Sequence, residues 1–510
     1  MATKMADTSS SSISAQHDAM GIASLLGEPE VPTNALKFAS RQQEYLVPSS
    51  SSYLQSVNFD MKGITDRWVT FDEAELYLPL TITTQNAMAN AFPTIGFKSS
   101  ALSCIKRIVV KSANGAPIID DDQSELFASH LRLAFEKDQS WVKLVAPQIH
   151  YARDRPHDGI VGMYKNALIQ PPGTAKYAAV PAIGLATNDG NGLSAGYNAG
   201  FHERQGMMMK AYASSVGADP VSLDTKQTFD IVLSIPLRVL HSFFRELDFP
   251  MIGNRLQMEF WLANVSAGPF RPVVLGTAVE AARTQAAGGV TDIAVTAGAE
   301  PRLYYHAVQW QPSQLAIVSQ KFAAGGLRKL LHHRKYEIYK DAQAQTNVAN
   351  GSTFNYTVST SAVAARRLWI LCYPTGTFNG TTHPSALVTG ANGFSSLQVS
   401  LNGKTMFNNP LTTLREQYAE LKQAMHLGGD GDPESLIPFF DFKLFSRIHC
   451  IDLSRSTSLM VDPSQPVTIS VQSTVASAGA VDVVFLLETE QRVALNMSGQ
   501  SATVVTGPAV

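Results

Sequence analysis

Gly192-Leu193-Ser194-Ala195-Gly196 has the spacing of a nucleophile elbow, in which a buried strand delivers a serine to a sharp turn and a helix carries the chain away. The flanks here are Asn188-Asp189-Gly190-Asn191 and Tyr197-Asn198-Ala199-Gly200, which suit neither element, so the match carries no acyl-transfer chemistry. Asn402-Gly403-Lys404-Thr405 resembles the end of a phosphate-binding loop, but Gln398 stands where that loop requires glycine, and a hairpin turn is the expected structure. Asp120-Asp121-Asp122 has the charge for a weak cation site without the glycine and terminal glutamate of an EF-hand loop. Its expected role is to place negative charge at the start of the helix that follows. The densest basic cluster is His332-His333-Arg334-Lys335, with Arg328 and Lys329 before it. It suits a phosphate or an acidic partner less well than a solvated strand entrance or a subunit contact. His449 and Cys450 are neighbours in a strand pattern, so they point to opposite faces and cannot share a metal simply. His150 and His157 flank Arg153-Asp154-Arg155 without metal-ligand spacing, and no carboxylate pair is singled out for glycoside chemistry. The sequence therefore assigns no catalytic, cofactor-binding or metal-ligating residue, and the chain is not expected to be an enzyme.

The elements that frame these residues repeat. Gly96-Phe97-Lys98-Ser99-Ser100 is echoed by Gly393-Phe394-Ser395-Ser396. An Asn-Gly turn follows each, at Asn114-Gly115 and Asn402-Gly403, and then a stretch of helical periodicity over 124–137 and 411–425. Asp122 or Ser124 is the candidate cap of the first helix, and Gly428-Gly429 ends the second. Each copy then reaches an Ile-Pro, Ile235-Pro236 or Ile437-Pro438, that opens an aromatic-rich strand pattern. A period this long does not suit a solenoid. It predicts two β domains of one kind in tandem, each with seven or so short strands between Gly, Asn and Pro turns. In the second copy the expected strands are 336–339, 353–358, 368–373, 397–401, 439–445, 467–471 and 481–487. Phe243, Phe249 and Trp261 are expected in the core.

The chain has 510 residues, 45% of them hydrophobic and only 16% charged, against about 25% charged in an ordinary domain. A low charge fraction is what large subunit interfaces produce, because they resemble domain cores. Forty basic and 42 acidic residues give a net charge of −2, which offers no basic field for nucleic acid. Cys104, Cys372 and Cys450 lack CxxC spacing and read as buried free thiols of a reducing compartment. Residues 1–14 lack the pattern of a secretion signal and no apolar run is long enough for a membrane helix, so the sequons at Asn264 and Asn379 are expected to be unused.

Residues 1–50 read as an N-terminal arm, with serine runs at 9–12 and 49–52 and a short apolar turn at Met20, Ile22, Leu25 and Leu26. The first sandwich is expected over 51–322, with long inserted loops near 150–225 and 267–300, and the second over 323–510 with a C-terminal tail. The first insertion carries Pro171-Pro172-Gly173 and reads as a surface tower.

The run Ile235-Pro236-Leu237-Arg238-Val239-Leu240-His241-Ser242-Phe243-Phe244, then Leu247-Asp248-Phe249-Pro250, then Asn254-Arg255-Leu256-Gln257-Met258-Glu259-Phe260, resembles a segment of double jelly-roll major capsid proteins of the virophage and polinton-like virus type. Arg366-Arg367-Leu368-Trp369-Ile370-Leu371 and Phe485-Leu486-Leu487-Glu488 resemble strands of the second jelly roll in that group. The resemblance implies an all-β fold with short helices, two tandem antiparallel eight-stranded jelly rolls, and no catalytic residues. It implies a homotrimer that forms a pseudo-hexameric, hexon-like capsomer of an icosahedral DNA virus shell, located in the virion capsid and made in a reducing host compartment rather than secreted. The implied partners are neighbouring capsomers, penton and other minor capsid proteins, and an internal membrane reached by the arm, with no sequence-specific nucleic acid. The alternative is a receptor- or glycan-binding β-sandwich of a spike or minor capsid protein.

Overall fold

The computed structural model describes residues 38–49, 56–61, 67–85, 95–112, 115, 117–137, 139–155, 200, 203–204, 206–208, 226–247, 249–252, 256–263, 273–275, 290–312, 314–316, 320, 328–340, 342–376, 387, 389–425, 437–456, 465–477, 479–496 and 502–505. Alternating polarity sets the strands. In Gln257–Leu262 the even positions Met258, Phe260 and Leu262 are buried, and in Val467–Ala476 the odd positions Val467, Ile469, Val471 and Val475 are.

The first sandwich uses β1 (Phe38–Leu46), β2 (Ser56–Asp60), β3 (Trp68–Gln85), β4 (Ile105–Lys111), β5 (Pro117–Asp121), β6 (Lys226–Pro236), β7 (Gln257–Leu262) and β8 (Arg302–Trp310). The second uses β9 (Arg328–Tyr339), β10 (Thr353–Ala362), β11 (Ala365–Pro374), β12 (Gly393–Leu401), β13 (Lys404–Thr405), β14 (His449–Asp452), β15 (Val467–Ala476) and β16 (Val481–Asn496). One sheet of the first sandwich connects β1-β8-β3-β6 and the facing sheet runs β2-β7-β4-β5. In the second the orders are β9-β16-β11-β14 and β10-β15-β12-β13. Adding eight to each label of the first sandwich gives the second. All these pairings are antiparallel, and the order is that of a jelly roll, so the fold is a double jelly roll.

Short helices lie between the strands: α1 (Gln123–Glu136), α2 (Gln139–Leu144), α3 (Leu237–Leu240), α4 (Phe243–Glu246), α5 (Leu414–Ala424) and α6 (Phe439–Leu444). The repeated landmarks fall at matching places. The Gly-Phe pairs lie just before or at the start of β4 and β12, the Asn-Gly turns join β4 to β5 and β12 to β13, and α1 and α5 follow. Gly115 and Gly403 sit at φ +80° and +77°, where a side chain would be strained. Ile-Pro is the exception. Pro236 and Pro438 precede the helices α3 and α6 rather than strands, and those helices lie after β6 but before β14. Pro438 stands at the N-cap of α6, and the aromatic run expected as a strand over 439–445 is helical over Phe439–Leu444.

Three apolar layers result. Leu76, Leu78, Phe260 and Leu303 fill the first roll, and Leu368, Ile370, Val471 and Phe485 fill the second. The third lies between the rolls, where Phe127, Leu131 and Phe135 of α1 meet Tyr336, Trp369, Leu371 and Leu486. The apolar run of β11 is thus buried on both faces, its even positions turned into the second core and Trp369, Leu371 and Tyr373 toward the first roll.

The ends of the chain's units differ in detail from expectation. Phe38–Leu46, placed within the arm, is an edge strand paired with β8 and held by Arg41–Asp72 and Arg67–Glu44 ion pairs of 2.9 and 2.7 Å. Val290–Val295, placed within the second long loop, pairs with the far half of the 18-residue β3, whose backbone needs a partner there. Residues 1–37, most of the tower and the stretch 192–196 lie outside the described residues. The helix caps also differ. Asp122 occupies the N-cap of α1 without a side-chain hydrogen bond, whereas Thr413 caps α5 in a reciprocal box with Glu416. Thr413→Ala is expected to cost about 1 kcal/mol, read as a lowered unfolding midpoint in urea.

Candidate functional site

The fold disperses those residues with chemical potential that it describes. The three aspartates separate. Asp120 forms a two-pronged pair with Arg107 on the outer face, Asp121 turns inward to His241, and Asp122 stays at the helix start. Among the described residues no three His, Cys, Asp or Glu side chains are grouped to hold a metal. Asn402 and Gly403 form the expected hairpin turn, with Asn402 Oδ1 accepting from the Thr468 amide at 2.8 Å. His449 and Cys450 are both fully buried because β14 is covered on both faces, and burial pushes His449 down to about 3. His150 takes a left-handed φ of 47° after a 3-10 turn and is likewise pushed down by burial, to about 4. His157 lies outside the described residues. All three cysteines are buried free thiols, each pushed up by burial, the opposite of what a nucleophile needs.

Sequence spacing gave no hint of a Ser100–His130 contact. Ser100 Oγ lies 2.8 Å from His130 Nε2, in a geometry that resembles a nucleophile and its base. The same oxygen accepts from the Leu102 amide to cap a 3-10 turn, and Ser100 is fully buried. No substrate reaches it in this arrangement, and its role is that of a cap.

Trp261, expected in the core, is only half-buried. It stands on the outer face of β7 under the Arg107 guanidinium, 5.9 Å from its ring centre. Phe243 and Phe249 are fully buried as expected.

The basic cluster of β9 alternates. His332 is exposed and bonds Glu490 at 2.9 Å, His333 is buried, Arg334 pairs with Glu488 at 3.2 Å, and Lys335 pairs with Glu337 at 3.1 Å. His332, His333, Arg334, Glu488 and Glu490 border an open cleft of about 380 Å³ on the second roll, with Arg366, Arg367, Asp452, Ser454 and, from the first roll, Glu246 completing its walls. Its charges satisfy one another. Arg366 and His332 both bond Glu490 and hold it down at about 2 against the upward push of burial. Arg334 and Arg367 flank Glu488. A cleft with matched internal pairs is a joint between two bodies rather than a site awaiting a strongly charged ligand.

The joint itself is built from the segment following β6. Ser242 Oγ donates to the Arg334 carbonyl at 2.9 Å, Arg245 pairs with Glu136 at 2.9 Å, and the Phe243 ring meets the His333 ring edge-on at 5.8 Å. Phe135 packs on Trp369 at 5.5 Å, and Arg132 lies over the Tyr336 ring. These contacts join the two rolls into one continuous body.

No protein-family model matches the sequence, and no curated protein does. Among solved structures the chain is similar to that of the Sputnik virophage determined by cryo-EM, at 13% identity over 93% of this chain and 89% of that one, with a TM-score of 0.56. It is similar to the mavirus major capsid protein at 11% identity over 94% of each chain, with a TM-score of 0.52. At such identities the likeness is one of fold, and it extends over both rolls.

Proposed function

We propose that the chain is a major capsid protein whose trimers form pseudo-hexameric capsomers of an icosahedral virus shell. The observation that carries this reading is the repeated strand order. Two jelly rolls of one topology, fixed by a shared apolar layer, present the same kind of flank twice in one chain, so three chains supply six similar flanks to a hexagonal tile. The fold likeness to the mavirus major capsid protein supports it, as does the low charge fraction, which suits a body largely covered by neighbours. A net charge of −2 lets tiles lie side by side without long-range repulsion.

In this reading the chain belongs to the virion capsid, and its partners are two further copies, adjacent capsomers, and penton and other minor capsid proteins. Residues 1–37 would serve as an inward arm toward neighbours or an internal membrane. The domain division remains that of an arm, a first roll bearing the tower and a second roll. No reaction is assigned to the chain.

Size-exclusion chromatography with light scattering tests the reading. The expected result is a trimer of the 55.1 kDa chain that persists on dilution. A well-behaved monomer at micromolar concentration, with each roll intact, would refute it.

A further inference from the structure

The seam between the rolls contains titratable groups that tile formation does not require. His333 of β9 is 1% exposed, and neither of its ring nitrogens has a hydrogen-bond partner. The Arg334 peptide lies close but outside hydrogen-bonding geometry. Its ring faces two residues of the first roll, His241 at 6.0 Å and Phe243 at 5.8 Å. The tautomer of His241 is fixed by its neighbours. Its Nδ1 accepts from the Phe243 amide at 3.0 Å, so the ring proton sits on Nε2 and is donated to Asp121 at 2.6 Å.

We propose that the seam between the two jelly rolls is an acid-sensitive joint, in which protonation of His333 separates β9 from the α3–α4 corner of the first roll. The surroundings give a proton on His333 little compensation. Asp121, the nearest carboxylate across the seam, is already bonded by His241 and is held below the usual carboxylate range. Lys335, two residues along the same strand, repels it. Toward the cleft, Glu488 is flanked by Arg334 and Arg367, and Glu490 is bonded by Arg366 and His332. Asp452 accepts from the Ser454 amide and hydroxyl, and Glu246 closes the cleft from the first roll. Burial accordingly holds His333 down at about 4, from an ordinary 6.5. The open seam, where the ring meets water, binds the proton more readily than the closed one. Closure is complete above the ordinary value and is lost progressively as pH falls from 6.5 toward 4. Glu490 stays ionised over that window, so the pairs within the second roll's cleft persist while the contact across the seam weakens.

The joint is a property of the single chain and is independent of any shell. The three buried cysteines report on it separately, because Cys104 lies in the first core, Cys372 in the second and Cys450 in the layer between the rolls. Labelling the folded protein with 4,4′-dithiodipyridine, normalised at each pH to a free cysteine peptide, reads each layer by peptide mapping. Between pH 8 and pH 5 the Cys450 rate is expected to rise about 30-fold, the factor that the His333 displacement implies, with Cys104 and Cys372 unchanged. His333→Phe, which keeps the ring and removes the proton site, is expected to hold the rise below about 3-fold. His333→Gln gives the same readout if the phenylalanine variant does not fold. Protection of Cys450 at pH 5 in the unmodified protein, an equal rise in the variants, or simultaneous exposure of all three thiols would each overturn the proposal.

Discussion

Phe243→Asp is expected to yield no folded, soluble protein. Phe243 is fully buried at the start of α4, between Phe244 at 5.7 Å and His333 at 5.8 Å across the seam. Removing the ring costs about 3–5 kcal/mol through lost burial and the cavity left behind. A carboxylate placed there adds a desolvation cost of several kcal/mol. The total reaches the whole stability of a typical domain, about 5–15 kcal/mol. Phe243→Leu keeps the site apolar and is expected to lose only about 1–2 kcal/mol, which separates the charge effect from the packing effect. Circular dichroism and size exclusion on the soluble fraction provide the check. A Phe243→Asp protein that melts like the unmodified chain would mean that the seam is not part of the cooperative fold.

Arg204→Met is the second large effect. Arg204 is fully buried and closes the return of the segment inserted after α2 onto the first roll. Its guanidinium donates to the Phe97 carbonyl at 2.9 Å, the Ala152 carbonyl at 2.5 Å and the Asp154 carboxylate at 2.7 Å, and Asp154 is itself 6% exposed. Methionine fills much of the same volume, yet it removes three hydrogen bonds, one of them charge-assisted to a buried carboxylate. Loss of one partner of such a pair costs about 3–5 kcal/mol. Arg204→Met with Asp154→Asn is expected to recover part of that loss, because the buried carboxylate no longer faces the site of the lost guanidinium. Denaturant melts of the single and double variants measure the coupling. The close fit at Gly200, where an added Cβ would lie 2.2 Å from the Arg153 carbonyl oxygen, shows that the same stretch of backbone is pressed directly against its neighbour.

How far the fold was legible depended on the range of the signal. Alternation along 257–262 and 467–471 survives in sequence because each strand has one wet face and one dry face. The second Asn-Gly turn was legible because two adjacent residues, Asn402 and Gly403, carry the left-handed conformation, and Gly115 carries it in the first. The strand expected at 439–445 failed because an aromatic run bounded by proline has no period of its own, and Pro438 stands at the N-cap of the helix formed there. Phe38–Leu46 was hidden because a polar edge strand carries little alternation, and its ion pairs to Asp72 and Arg67 join distant segments. The Thr413–Glu416 box was within reach of local reading, since a threonine followed three residues later by glutamate opens the helical periodicity.

The seam was not legible. His241 and Asp121 are 120 positions apart, and Ser242 reaches a carbonyl 92 positions away. Nothing in the spacing of His332-His333-Arg334-Lys335 indicates that one histidine faces water and the next faces the other roll. Only the strand's two-residue alternation, combined with knowledge of which face is covered, separates them. At Ser194 and at Gln398 the sequence itself contradicts the motifs that the neighbouring residues resemble.

Electron microscopy of the purified, full-length protein under assembly conditions tests the central claim most directly. Closed shells or flat hexagonal arrays of three-fold tiles, each with six lobes at its base, are the predicted result. Fields of compact single chains, with neither tiles nor arrays at any protein concentration, would contradict it.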